Sequence, residues 1–215
     1  MESVTTSENE VGGRATALAT TLSVLVAWFL VAVWLGLRGA FAGPAGGLPI
    51  GLALALVVPL AVFALDSRLG GPLFDGLRRL DLASLIALQT FRVIGVVFIV
   101  AWMAGGLPAA FALPAGLGDI AIGGAAPFVA AAVAARRPGH RALTIGWNVL
   151  GLADLVNALF QGVTHSPSPV GFLAGSITTQ AVTRYPMSLI PTFGVPLALI
   201  LHAVALRRTL PSPRH

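Results

Sequence analysis

The amino-acid sequence predicts an all-α fold: a polytopic transmembrane bundle of six spans, with both ends in the cytoplasm. Three observations carry this. Hydrophobic residues make up 56% of the 215-residue chain and charged residues only 10%, where a soluble domain carries about a quarter. The apolar residues fall in runs of roughly twenty, long enough to cross a hydrocarbon core of ~30 Å. Arginines gather in alternate connections between those runs, as the positive-inside rule requires.

The polar stretch "MESVTTSENEVGG" predicts a disordered cytoplasmic tail over residues 1–14. The first span, about 15–37, is too long for a signal-peptide core, lacks a small-residue cleavage site and follows an acidic tail. It therefore reads as a retained helix. A second span is expected over 48–65 and a third over 82–104. The segment 105–118, "GGLPAAFALPAGLG", is apolar but broken by Pro108, Pro114 and four glycines. Proline removes a backbone donor and disfavours helix at the preceding residue, so this segment reads as an outer loop or a short re-entrant half-helix. The fourth span is placed at 117–135, the fifth at 142–162 and the sixth at 186–206. In the outer connection 163–185, the stretch "GFLAGSITTQAV" suggests a short interfacial helix. Residues 209–215 form a cytoplasmic tail.

With the N-terminus inside, Arg14, Arg68, Arg78, Arg79, Arg136, Arg137, Arg141, Arg207, Arg208 and Arg214 are cytoplasmic. Only Arg38 and Arg184 fall outside, and Arg92 lies within the third span. The formal charge of +5 is thus explained by topology, and no nucleic-acid partner is implied. The partner that composition does imply is the lipid bilayer; oligomeric state is left open.

Composition also limits the chemistry. The chain has no cysteine, so disulfides, thiolate metal sites and iron–sulfur clusters are excluded. It has no lysine, so no retinal or pyridoxal Schiff base can form on it. A bis-histidine haem needs two histidines facing each other across a bundle. Here His140, His202 and His215 fall at or near the cytoplasmic side and His165 outside, with His202 reading as an interfacial residue. There is no HExxH motif, no phosphate-binding loop, and no base at the depth of Ser84, Ser176 or Ser188. No cofactor and no metal site are expected, and no catalytic residue can be assigned.

The polar residues inside the spans are the remaining signal. Arg92 lies about ten residues into the third span, ~15 Å from its cytoplasmic end at 1.5 Å per residue. A central arginine costs about 2.5–3.5 kcal/mol on insertion scales, so a partner inside the bundle is expected. The fifth span supplies one. At 100° per residue Trp147, Gly151, Asp154, Ala158 and Gln161 form one stripe, with Asn157 beside it. Asp154 lies ~18–20 Å from the cytoplasmic end by the same rise, a depth that matches Arg92 within the reach of a guanidinium side chain. The expected site is an Arg92–Asp154 ion pair, with Gln89, Asn148 and Asn157 satisfying the remaining hydrogen bonds and Trp147 nearby. Asp119, after a proline and two glycines, has two readings. It is a helix N-terminal acid stabilised by free amides, or it lines an outer cavity leading to Arg92. In the sixth span Pro191 and Pro196 are expected to kink the helix.

Three functions fit this pattern. The first is binding or transport of a small molecule or ion at the polar site between spans three and five. The second is a membrane-embedded enzyme acting on a lipid or other apolar substrate, with Asp119 or Asp154 as base. The third is an accessory or assembly protein whose polar cluster is purely structural.

The segments "LPAAFALPAGLGD", "APF", "WNVLGLADL" and "IPTFGVPLALILH" resemble small bacterial multi-pass membrane proteins described only as hypothetical. The resemblance covers residues 85–208. It implies a location in the bacterial inner membrane and carries no activity with it.

Overall fold

The computed structural model describes residues 2–44 and 46–210, with side chains from Thr16 onward. All regular elements among these residues are helical. Six helices are long and apolar enough to cross a membrane: Thr16–Leu37, Ile50–Leu69, Leu82–Met103, Ala109–Ala134, His140–Thr164 and Ile190–Thr209.

Helix α1 runs over Glu2–Leu37. It extends through the polar stretch that composition assigns to a disordered tail, since extending a formed helix requires no new nucleus. Helix α2, Ile50–Leu69, ends at Gly70 in the left-handed conformation, the usual helix stop. A short amphipathic helix, α3 (Pro72–Arg79), then lies between the second and third spans. Pro72 suits its first turn, and Asp75 pairs with Arg78 at 3.2 Å and Arg79 at 2.7 Å.

The third span is built of three pieces. Helix α4 covers Leu82–Leu88, a 3₁₀ segment follows over Gln89–Gly95, and α5 completes it over Val96–Met103. Its start is set by Asp81, which accepts hydrogen bonds from the Ser84 backbone N–H at 2.8 Å and the Ser84 hydroxyl at 2.7 Å. These two bonds hold the Asp81 carboxyl below the ordinary aspartate range.

The fourth span, α6 (Ala109–Ala134), starts eight residues before the expected 117. The segment 105–118 is therefore neither a loop nor a re-entrant half-helix. The chain turns at Gly105, whose φ is +74°, and Pro108 is the N-cap of α6. Pro114 falls within the second turn, beyond the early amides that have no internal acceptor, so α6 continues through it with one backbone hydrogen bond fewer.

Helix α7 spans His140–Thr164. Beyond it the outer connection forms only a 3₁₀ turn, Thr179–Thr183, in place of the interfacial helix expected from "GFLAGSITTQAV". Its backbone is tied to the end of α7: Thr179 N–H donates to His165 O at 3.0 Å, and Leu173 N–H donates to Thr164 O at 2.8 Å. The sixth span opens with a π-helical segment, Ile190–Gly194, before α8, Val195–Thr209. The proline expected to bend it, Pro191, lies within this wide turn, while Pro196 sits in the first turn of α8. Residues 211–215 of the expected C-terminal tail, and Met1, lie outside the described residues.

The third span packs on α6, α6 on α7, and α7 on α8, so spans three to six form the inner bundle. Helix α2 has no buried residue and covers α8 from outside. Helix α1 is attached at three levels, the outermost where a Cβ on Gly36 would lie 3.1 Å from Ser188 Oγ. Near the cytoplasmic side Thr21 sits against Gly76 of α3, where a Cβ would collide with the Thr21 hydroxyl. Farther out, Trp28 and Phe29 pack on Phe193, with ring centroids 4.7 and 5.2 Å apart.

An even number of spans puts both ends of the chain on one side, and the arginine distribution makes that side the cytoplasm. Because the chain lacks native cysteine, single cysteines report topology directly. In intact cells a membrane-impermeant maleimide should label Ala174→Cys, in the outer connection, and leave Ala135→Cys unlabelled until the cells are opened. The reverse pattern would invert the topology.

Candidate functional site

From Ile86 onward the third span carries its buried residues at intervals of three, Ile86, Gln89, Arg92, Gly95 and Phe98, with Leu85 buried beside the first. In an α-helix such a series would drift around the surface. A 3₁₀ segment has three residues per turn, so side chains at i and i+3 eclipse. The segment Gln89–Gly95 thereby aims Gln89 and Arg92 into the bundle together, with Gly95 below them.

Arg92 is 2% exposed, and four of its five N–H groups (five being the full complement of a guanidinium) are given to protein acceptors. Nε donates to Asp119 Oδ1 of α6 at 2.7 Å. One Nη2 hydrogen goes to Asp154 Oδ2 of α7. Nη1 donates to the Gly151 carbonyl at 3.3 Å and faces His202 Nε2 of α8 at 3.1 Å. A guanidinium has no acceptor, so His202 Nε2 must accept. Its proton is therefore on Nδ1 and is donated to Asn148 Oδ1 at 2.8 Å, while Asn148 Nδ2 donates to Thr144 O at 2.8 Å.

The Arg92–Asp154 pair expected from depth alone is present, and Asp119 joins it. Asp119 is not a helix N-terminal acid: the earlier start of α6 places it ten residues into that helix, facing the guanidinium. Asn148 acts through His202. Gln89 is fully buried but turns to α8, its Nε2 donating to Ala198 O at 2.9 Å. Trp147 donates its indole N–H to Ile122 O at 3.1 Å and stacks 5.1 Å from His202, tilted. Asn157 is half-buried and makes no hydrogen bond to the cluster.

Sequence reasoning missed His202. Its position a turn and a half before Arg207 suggested the interface, yet it is fully buried. The signal available was its helical register with Ser188 and Val195, which are also buried. Among the glycines it singled out Gly151, on the stripe of the fifth span, and Gly118 as small residues at helix contacts, and it missed Gly95. A Cβ on Gly118 would collide with Asp154 Oδ1, and one on Gly95 with the Asp119 side chain. One on Gly151 would lie 2.5 Å from His202 Cε1 and Nε2. These three positions let four helices approach closely enough for one guanidinium to reach them all.

Two carboxylates share one guanidinium, so that with both carboxylates ionised and His202 neutral the cluster carries one net negative charge. Asp119 Oδ2 and Asp154 Oδ1 accept no hydrogen bond among the described residues. Asp119, Asp154 and His202 each face a different nitrogen of Arg92, and no three His, Cys, Asp or Glu residues among those described gather to hold a metal ion.

The cluster opens on one side. A cavity of about 850 Å³ lies between α1, the third span and the sixth span. Leu25 and Phe29 of α1, Phe91 of the third span and Phe193 and Leu197 of the sixth wall it; Arg92 and Asp119 are its charged groups. Asp154 does not line it.

A family model described as a domain of unknown function, DUF8737, matches residues 49–210, well over half of the chain. The chain belongs to the DUF8737 family. Nothing among curated proteins or solved structures matches it. The DUF8737 region holds Gln89, Arg92, Asp119, Asn148, Asp154 and His202, whereas α1, which closes one wall of the cavity, precedes it.

Removing one partner of a buried pair leaves an uncompensated charge and costs about 3–5 kcal/mol. Arg92→Leu alone should therefore sharply lower the unfolding temperature in detergent. Joined with Asp119→Leu and Asp154→Leu, it should recover most of that loss. Gly118→Val should destabilise as well, by about 1–3 kcal/mol through overpacking, because Asp154 must leave its position.

Proposed function

We propose that this integral membrane protein binds, and in its working cycle transports, a small molecule whose polar end meets Arg92 and Asp119. The observation that carries this reading is the cavity. Its ~850 Å³ falls within the range that holds drug-sized ligands. Its walls are apolar, and its charged groups come from the buried cluster. Apolar walls with a few convergent polar groups are the usual composition of ligand sites. A purely structural lock needs no such opening.

The π-helical segment at the wall supports the same reading. Single wide turns within membrane helices favour functional sites, and this one places Phe193 between α1 and the cavity. The site is thus formed by α1 and by spans three, four and six, with span five holding the far side of Arg92. The arginine-rich inner connections, and the resemblance of residues 85–208 to hypothetical bacterial membrane proteins, support a bacterial cytoplasmic membrane as the location of such an activity.

Native mass spectrometry of the detergent-purified full chain tests the reading. Wild type should retain a small molecule, and Leu25→Trp, which fills the cavity from α1 without touching the charged cluster, should release it while keeping its unfolding temperature within a few degrees. A wild-type protein that carries nothing, or a Leu25→Trp variant with undiminished occupancy, would return the cluster to a structural role.

A further inference from the structure

The charge and hydrogen-bonding capacity of the cluster narrow what the cavity can hold. We infer that its occupant is a lipophilic monovalent cation, an inference that rests on the binding role proposed above. Four of the five N–H groups of Arg92 are already given to Asp119, Asp154, Gly151 and His202. The guanidinium therefore has almost no capacity left for an anionic ligand, although it is the positive group in the site. Asp119 is in the opposite condition. It is 8% exposed, lines the cavity, and among the described residues accepts a bond only through Oδ1, leaving Oδ2 without a partner there.

With both carboxylates ionised, the group as a whole is one charge short of neutral: two carboxylates, one guanidinium and a neutral imidazole. In a low-dielectric environment a residual charge is costly unless it is paired. A ligand bearing one positive charge completes the balance, whereas an anion would double the deficit. The remaining walls suit the same class. Phe29, Phe91 and Phe193 line the cavity, and aromatic faces attract cations, most strongly where water is excluded. Described titratable and charged groups facing this space come from the third span (Arg92) and α6 (Asp119), with Asp154 and His202 behind them; α1 contributes none.

Tetraphenylphosphonium and tetraphenylborate have nearly the same shape and opposite charge, so they separate charge recognition from partition into an apolar space. Equilibrium dialysis of the purified full chain should show saturable tetraphenylphosphonium binding at least tenfold tighter than that of tetraphenylborate. Asp119→Asn should lower the cation's affinity at least tenfold. That variant removes the net charge but leaves the Arg92–Asp154 pair, so it should fold; an unchanged unfolding temperature verifies this. Equal or tighter binding of tetraphenylborate, or cation binding indifferent to Asp119→Asn, would overturn the inference. If tetraphenylphosphonium fails to bind while wild type still carries a molecule that Leu25→Trp releases, the cation assignment falls and the binding role stands.

Discussion

A guanidinium near the middle of a bilayer must give away its hydrogens to protein, because neither headgroup layer is close and hydrocarbon accepts none. In this chain that requirement organises the inner bundle. Arg92 draws a carboxylate from α6, a carboxylate and a carbonyl from α7, and an imidazole from α8. No single helix could supply acceptors in these directions. The cluster therefore determines which helices must be neighbours, as well as stabilising the contact between them. Since a buried charge left without its partners is far more costly than an intact network is stabilising, the arrangement tolerates few alternatives.

The backbone has adapted to that demand in two ways. The third span tightens to a 3₁₀ helix over Gln89–Gly95, which aligns Gln89, Arg92 and Gly95 along one line. This exchanges some hydrogen-bond quality for direction. Glycine then appears where the cluster's own atoms occupy the space of a side chain, at Gly95, Gly118 and Gly151. Small residues at helix contacts are common in membranes because packing, and not water exclusion, holds helices together there. Here their further effect is to bring four backbones within reach of one side chain.

Helix α1 stands apart from this core. It precedes the matched family region, meets the remainder of the chain near Thr21, at Phe193 and at Gly36, and spans the cavity between the first two of these contacts. A wall attached at its ends and unfilled in the middle is a different kind of packing from the closed interior around Trp147 and Ile122. The charged cluster thus has a sealed side, where His202 and Asn148 hold it in orientation, and an open side, where Asp119 faces an apolar space. One set of residues can serve both the integrity of the bundle and a ligand.

Sequence alone determined the class, the six spans and the presence of a partner for Arg92. Each follows from a local property: run length against bilayer thickness, charge counted loop by loop, and the cost of a charge at a given depth. Depth matching was enough to select Asp154, because a helix rises by a constant 1.5 Å per residue. What depth could not supply was azimuth across helices. Asp119 kept two readings, an N-terminal acid or the lining of a cavity leading to Arg92, because the prolines of 105–118 suggested a later helix start. His202 looked interfacial because arginines follow it closely. The tertiary structure decided both, since whether a polar side chain meets another depends on how four helices are rotated and spaced. That rotation is set by 3₁₀ and π turns, and by glycines, whose significance emerges only once the neighbouring helix is in place.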